Sequence, residues 1–223
     1  MSDSRSHILA DIAQALAKHP VKAGASTADS TAYPRPELEP AGSEATLQRF
    51  SENLTKAGGE CHILKDEEAA LSQLRAILGE CHGQSVLVPP DAEIERMAVS
   101  RIVLETGCLA VNPQQNSLDM ASRAAIGITV AYCGIADTGT LCLIHATLAD
   151  QLSGLLPPIH LVLLNQRSIY SDKASFLTVM KIGGVDLGTM KMTWVTGPSL
   201  TADIEKVLVR GAHGPRRVVV LVY

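Results

Sequence analysis

Two stretches near the C-terminus bring hydroxyls, carboxylates and an imidazole together at close spacing. They are Thr196-Gly-Pro-Ser-Leu-Thr-Ala-Asp-Ile-Glu205 and Gly211-Ala-His-Gly-Pro215. If a helix starts after Gly197-Pro198, its exposed amides form a seat for an anion, and the hydroxyls of Ser199 and Thr201 add donors to it. Asp203 and Glu205 oppose a dianion at that seat, and Leu200 brings no cation to offset them. The expected guest is therefore a carboxylate or a single phosphate. Glu205 can serve as base or nucleophile, and His213 as general acid or base. Capping of the helix and anchoring of the loop account for the same residues without any ligand.

A second group is Asp137-Thr-Gly-Thr140. Here Asp137 is the candidate base, while Thr138, Gly139 and Thr140 are candidate ligand contacts on a strand-end loop. The triplet Asp-Thr-Gly also occurs in aspartic proteases, whose chemistry needs two carboxylates sharing a proton in an all-β frame. One copy in a helix-rich chain argues against that reaction. The plain alternative is a turn in which Asp137 caps backbone donors and Gly139 takes positive φ. His145 and His160 flank the loop Leu155-Leu156-Pro157-Pro158, with Asp150 a possible partner of His145. His160 alternates with apolar neighbours and reads as a satisfied, partly buried histidine.

The elements that must position these groups follow from apolar periodicity. Met192–Val195 and Val218–Val222 bracket the C-terminal stretches as strands, with a short helix expected between them. Its stripe is Ile204, Val207 and Leu208, and Gly211 is its expected C-cap. Upstream, helices are expected over Ser43–Ala57, Asp66–Leu78, Asp91–Glu105, Leu118–Ala125 and Ser171–Lys181. Strands are expected over Cys61–Leu64, Ser85–Val88, Cys108–Val111 and Ile159–Leu164. Ile126–Tyr132 and Thr140–Ile144 read as a hairpin joined through Gly134–Gly139. The alternation predicts a three-layer α/β domain over residues 43–223 with a mostly parallel sheet. Residues 1–42 read as an arm: an amphipathic helix over 2–18, then a linker broken by Pro34, Pro36 and Pro40. In such a domain the loops 137–140 and 196–201 are expected to meet at one sheet edge.

The totals exclude several function classes. A net charge of −4 with scattered lysines and arginines does not suit a nucleic-acid partner. One Trp, four Tyr and two Phe leave little for base stacking. No apolar run approaches the length of a membrane span, and the first residues lack the basic and apolar regions of a signal peptide. A cytoplasmic chain is expected. Cys61, Cys81, Cys108, Cys133 and Cys142 include no Cys-x-x-Cys pair, so they read as reduced thiols without an iron–sulfur cluster. Cys61-His62 and Cys81-His82 are adjacent pairs that point to opposite faces of a strand, which does not suit a shared zinc ion. No dinucleotide or phosphate-cradling glycine loop is present.

Four segments together resemble the lactate-utilization domain family: the two C-terminal stretches, Ile135-Ala-Asp-Thr-Gly-Thr-Leu141 and Leu156-Pro-Pro-Ile-His160. The resemblance covers roughly residues 43–223. The family usually has Glu where Asp137 stands and a basic residue where Leu200 stands. The resemblance implies the α/β fold shared by sugar-phosphate isomerases and CoA transferases. It also implies a part in oxidising L-lactate to pyruvate, with iron–sulfur clusters carried by partner subunits. Two alternatives stand beside it. One is a free-standing isomerase or acyl-transfer type enzyme on a small anionic metabolite, with Asp137 or Glu205 as base or nucleophile. The other is a non-catalytic assembly subunit docked through its N-terminal helix.

Overall fold

A computed structural model of the chain describes Gln14 and residues 43–145, 147–185, 191–202, 208–211 and 214–223; within 201–210 it describes the backbone alone. Apart from Gln14, the expected arm over residues 1–42 lies outside the described residues.

Six parallel strands form the central sheet: β1 (Glu60–Ile63), β2 (Ser85–Leu87), β3 (Leu109–Val111), β4 (Ile126–Val130), β7 (Ile159–Leu164) and β12 (Arg217–Val222). Their order is β1-β12-β7-β4-β2-β3. Parallel neighbours need crossover connections. Helix α1 (Glu44–Lys56) leads into β1, and α2 (Glu67–Gly79), α3 (Ala92–Arg96), α4 (Val99–Glu105) and α5 (Leu118–Ser122) provide several of the crossovers. Four of these helix starts, all but that of α4, are set by short polar caps: the side chains of Ser43, Asp66, Asp91 and Ser117 each accept an amide of the first turn.

The parallel sheet is buried on both faces, as its Val-, Ile- and Leu-rich strands require. On one face Ile126, Ile128, Leu161, Leu163, Val219 and Leu221 pack against Leu74 and Leu78 of α2 and Ile102 and Val103 of α4. On the other, Val162, Leu164, Val218, Val220 and Val222 meet Phe50 and Leu54 of α1 and Leu141 and Leu143 of a second sheet. That second sheet has the order β8-β5-β6-β9, built from β5 (Cys133–Ile135), β6 (Thr140–His145), β8 (Ile169–Tyr170) and β9 (Lys191–Val195). Helix α7 (Lys173–Ile182) covers its outer face, where Phe176 makes edge-on ring contacts with Tyr132, Tyr170 and Trp194. A short α6 (Leu148–Leu152) closes one end behind β6.

Three expected elements differ. The helix expected over Asp91–Glu105 is two helices, because Ala98 takes φ +52° between α3 and α4. The run Ile126–Tyr132 is divided between the sheets: Ala131 N–H donates to Leu163 O, while Tyr132 N–H donates to Cys142 O. The hairpin is therefore β5–β6, with Ile135 opposite Thr140. The helix expected after Ser199 is replaced, where described, by antiparallel strands β10 (Leu200–Ala202) and β11 (Leu208–Arg210). Gly211 N–H donates to Ser199 O, and Ser199 N–H to Pro215 O, which holds the chain in a ribbon. Residues 203–207 lie outside the described residues.

Candidate functional site

The four-residue turn between β5 and β6 carries Asp137 and Thr138 exposed at its tip, with Gly139 and Thr140 buried behind them. Strand β6 runs antiparallel to both β5 and β9, so the end of β9 lies beside the start of β6, with Val195 opposite Leu141. Thr196 thereby reaches Thr140, their hydroxyl oxygens 2.7 Å apart. Thr138 adds a third hydroxyl, 2.7 Å from that of Thr140. The two loops separated in sequence are thus joined by a hydroxyl chain, Thr138–Thr140–Thr196. The second sheet, not the parallel one, brings them together.

The last turns of α1 press on both loops. The side-chain amide of Asn53 donates to Ala136 O at 2.8 Å and to Asp137 O at 3.1 Å. Gly139 takes φ +65°, and a Cβ there would overlap the backbone of Asn53 and Leu54. Gly197 takes φ +73° and lies against the Ala57 carbonyl in the same way. From the other side, Asp137 N–H donates to Ser171 O at 3.0 Å. Lys56, at the end of α1, donates to Asn53 Oδ1 at 3.3 Å and so supplies an exposed cation beside the Asp137 turn. Ser199 is half-buried, and Gly214 stands against its side chain. The two C-terminal stretches therefore meet there.

Of the candidate residues, Asp137, Thr138, Gly139, Thr140 and Gly197 form one cluster, and Ser199 lies two positions beyond it. Thr201 is on β10. The anion seat was expected at a helix start after Ser199; residues 200–202 are extended and paired with β11, and the residues that would continue that helix lie outside the described residues. Asp203, Glu205 and His213 lie outside the described residues.

A second polar group joins His145, Asp150 and His160, noted in the sequence, to Thr129 and Ser153, which were not. Thr129, His145, Asp150, Ser153 and His160 are five of the six buried polar or charged side chains among the described residues. The sixth, Thr140, is in the first cluster. Thr129 and His160 stand on the same face of β4 and β7 as Val162 and Leu164. His145, at the end of β6, shares the face of Leu141 and Leu143. All three therefore lie between the two sheets. His160 is fully buried, not partly, and its Nε2 lies 2.8 Å from Thr129 Oγ1. The Ser153 carbonyl packs where a side chain on Gly127 would stand, and Gly154 abuts the His160 ring. Asp150 is engaged by Gln114 Nε2 at 2.8 Å and Thr147 N–H at 2.9 Å. Among the described residues, His145 Nε2, Ser153 Oγ and His160 Nδ1 are buried with no hydrogen-bond partner. Burial pushes His160 down to about 3, and nearby His145 adds to that shift. Burial also lowers His145, against the pull of Asp150. The usable signal was a polar residue interrupting each apolar run: Thr129 within Ile126–Val130 and His160 within Ile159–Leu164.

Among the described residues, no three His, Cys, Asp or Glu side chains gather as a metal site. The five cysteines are free thiols, and burial raises the Cys61 thiol above its usual range. No helix among those residues is long and apolar enough to cross a membrane.

The chain is thus a parallel α/β core extended by a mixed sheet, with two Thr-Gly turns locked under one helix. Residues 47–223 match the LUD domain, and the chain belongs to that family. The chain is 25% identical to the uncharacterized protein YkgG of Escherichia coli, over 99% of this chain and 98% of that one. It is 26% identical to lactate utilization protein C of Bacillus velezensis, over 69% of this chain and 68% of that protein. A crystal structure of a DUF162 family protein from Deinococcus radiodurans superposes with a TM-score of 0.54 at 19% identity, covering 80% of this chain and 96% of that one. That likeness extends to the fold.

Proposed function

We propose that the chain is a subunit of a lactate-utilization system that oxidises L-lactate to pyruvate with iron–sulfur partner subunits. The observation that carries this reading is the match of residues 47–223 to the LUD domain, together with relatives named lactate utilization protein C. The chain's own cysteines lack the spacing that holds a cluster, so electrons would be carried by the partners. On this reading Asp137 and the exposed hydroxyls of Thr138 and Thr196 face a partner or a small anion, with Lys56 as the nearby cation. The three hydroxyls are already tied to one another through buried Thr140, and the turn carbonyls to α1, which favours a rigid presenting surface over a mobile catalytic loop.

Reconstituted subunits should reduce an acceptor dye in an L-lactate-dependent way, and omission of this chain should abolish the signal. Unchanged turnover without it would remove the chain from the oxidising core. Asp137→Asn keeps the size and most of the turn geometry, so it should lower reconstituted activity several-fold with little change in melting temperature. Full activity in that variant would make the turn purely structural.

The arm is a separate proposal. A chain starting just before Ser43, which caps α1 by accepting from Thr46 N–H at 3.2 Å, should melt within a few degrees of the full chain. It should also pull down fewer partners. Failure of that shorter chain to fold would show that residues 1–42 belong to the core.

A further inference from the structure

The connections at the carboxyl edge of the central sheet part around one strand. Strand β12 lies between β1 and β7 in the sheet order. From β1 the chain leaves to α2, on the face of Leu161, Val219 and Leu221. From β7 it leaves to β8 on the opposite face, where Ile169 packs with Val162 and Val220. Loops that part to opposite faces leave a crevice outside the strand ends, where open α/β sheets hold their ligands. A cleft of about 440 Å³ is lined by residues of both loops and by the first turn of α1. Its walls are Glu44, Leu47, Ile63, Leu64, Lys65 and Gln166. That volume falls within the range of about 300–1,000 Å³ usual for small-molecule sites.

The walls divide by chemistry. Leu47, Ile63 and Leu64 are aliphatic, and Ile63 is left exposed. Glu44 brings a negative charge and Lys65 a positive one, both open to solvent. The two are not paired with each other. Lys65 Nζ approaches Asp66 at 3.6 Å, while Asp66 also caps α2 by accepting from Ala69 N–H at 2.8 Å. Glu44 makes no ion pair among the described residues. A dianion is opposed by Glu44, and a bare cation by Lys65. Separate charges of opposite sign on an aliphatic floor match the two ends of a zwitterion. We propose that this cleft binds a free α-amino acid with an aliphatic side chain. Its ammonium meets Glu44, its carboxylate meets Lys65 and the Gln166 side-chain amide, and its side chain lies on Leu47, Ile63 and Leu64. Charges open to water attract weakly, so the affinity is in the millimolar range. This site is independent of the lactate role proposed above.

The test is amide NMR on the full chain, titrated separately with L-leucine, isocaproate, isoamylamine and L-lactate at millimolar concentrations. These probes are the zwitterion, its acid half, its amine half and a hydroxy-acid. The expected result is saturable shifts within residues 43–47, 63–66 and 165–168 with L-leucine. Each half should bind at least about fivefold more weakly. Glu44→Gln should weaken L-leucine and the amine but leave the acid unchanged. Lys65→Gln should weaken L-leucine and the acid but leave the amine unchanged. Both side chains are exposed, so both variants should melt with the wild type. Isocaproate binding as tightly as L-leucine, with no effect of Glu44→Gln, would overturn the amino acid and make the cleft an anion site. L-Lactate binding there more tightly than L-leucine would overturn it as well. Shifts with L-leucine that neither variant weakens would overturn the pairing of its charges with Glu44 and Lys65. No saturable shift at those residues with any probe would overturn the site. None of these readouts depends on reconstituted activity, so a failure of the lactate role is distinguishable from a failure of the cleft.

Discussion

Gly139→Ala should destabilise the domain by about 3 kcal/mol or more, the sum of left-handed backbone strain and forced overpacking. The glycine holds φ +65° in the β5–β6 turn, and its missing side chain is the space through which Asn53 and Leu54 of α1 pass. An added Cβ meets backbone there, which cannot swing aside as the end of a flexible side chain can. For a chain of this size each kcal/mol lowers the melting temperature by roughly 2–4 °C, so a fall of about 6–12 °C is expected. Gly83→Ala is the matched control. Gly83 also has positive φ, at +78°, but nothing lies within 4 Å of a Cβ built on it. It should lose only the strain, about 1–2 kcal/mol. Equal losses in the two variants, measured by thermal melting, would mean that α1 does not lock the turn. Because Asn53 also holds the Ala136 and Asp137 carbonyls, the larger loss should be accompanied by lower reconstituted activity.

That turn also marks the boundary of what the sequence discloses. Much of the parallel core was legible because β2, β3 and β7 are short apolar runs flanked by Gly or Pro. Ile159–Leu164 falls where the periodicity puts it. The second sheet was not, since one continuous apolar run, Ile126–Tyr132, serves both sheets and periodicity has no mark for a change of partner. The ribbon after Ser199 was misread for a related reason. Ser, Thr and Asp ahead of an apolar stripe look like a cap, and the long-range bond from Ser199 N–H to Pro215 O outweighs that local preference. The loops 137–140 and 196–201 were expected to meet by a rule about parallel sheets, and Thr196 does reach Thr140. That contact arises from two antiparallel pairings to β6. The buried histidines were under-read because their environment is set by packing between sheets, which spacing along the chain does not encode.

The strongest consequence of that packing is acid sensitivity carried by one ring. His160 is fully buried, and its pKa is pushed down to about 3 by desolvation and by His145. In the unfolded chain the same imidazole titrates near the ordinary value of about 6.5. Between those two values the unfolded state binds the proton and the folded state does not, so stability rises with pH and is lost as pH falls below about 6.5. The loss from this residue alone should reach about 2 kcal/mol between pH 7 and pH 5, and its limiting slope is about 1.4 kcal/mol per pH unit. His145 is lowered too and adds to the loss in the same direction, with Asp150 opposing it. His160→Gln keeps a group able to bond Thr129 but removes the titration. The variant can be less stable at pH 7 without affecting the test, because the readout is the slope. Urea denaturation from pH 7.5 to 5 should show the wild type losing about 2 kcal/mol more than the variant across that range. Parallel curves would mean that the ring takes up its proton in the folded state as readily as in the unfolded chain, and therefore that water or a counter-charge reaches the space between the sheets.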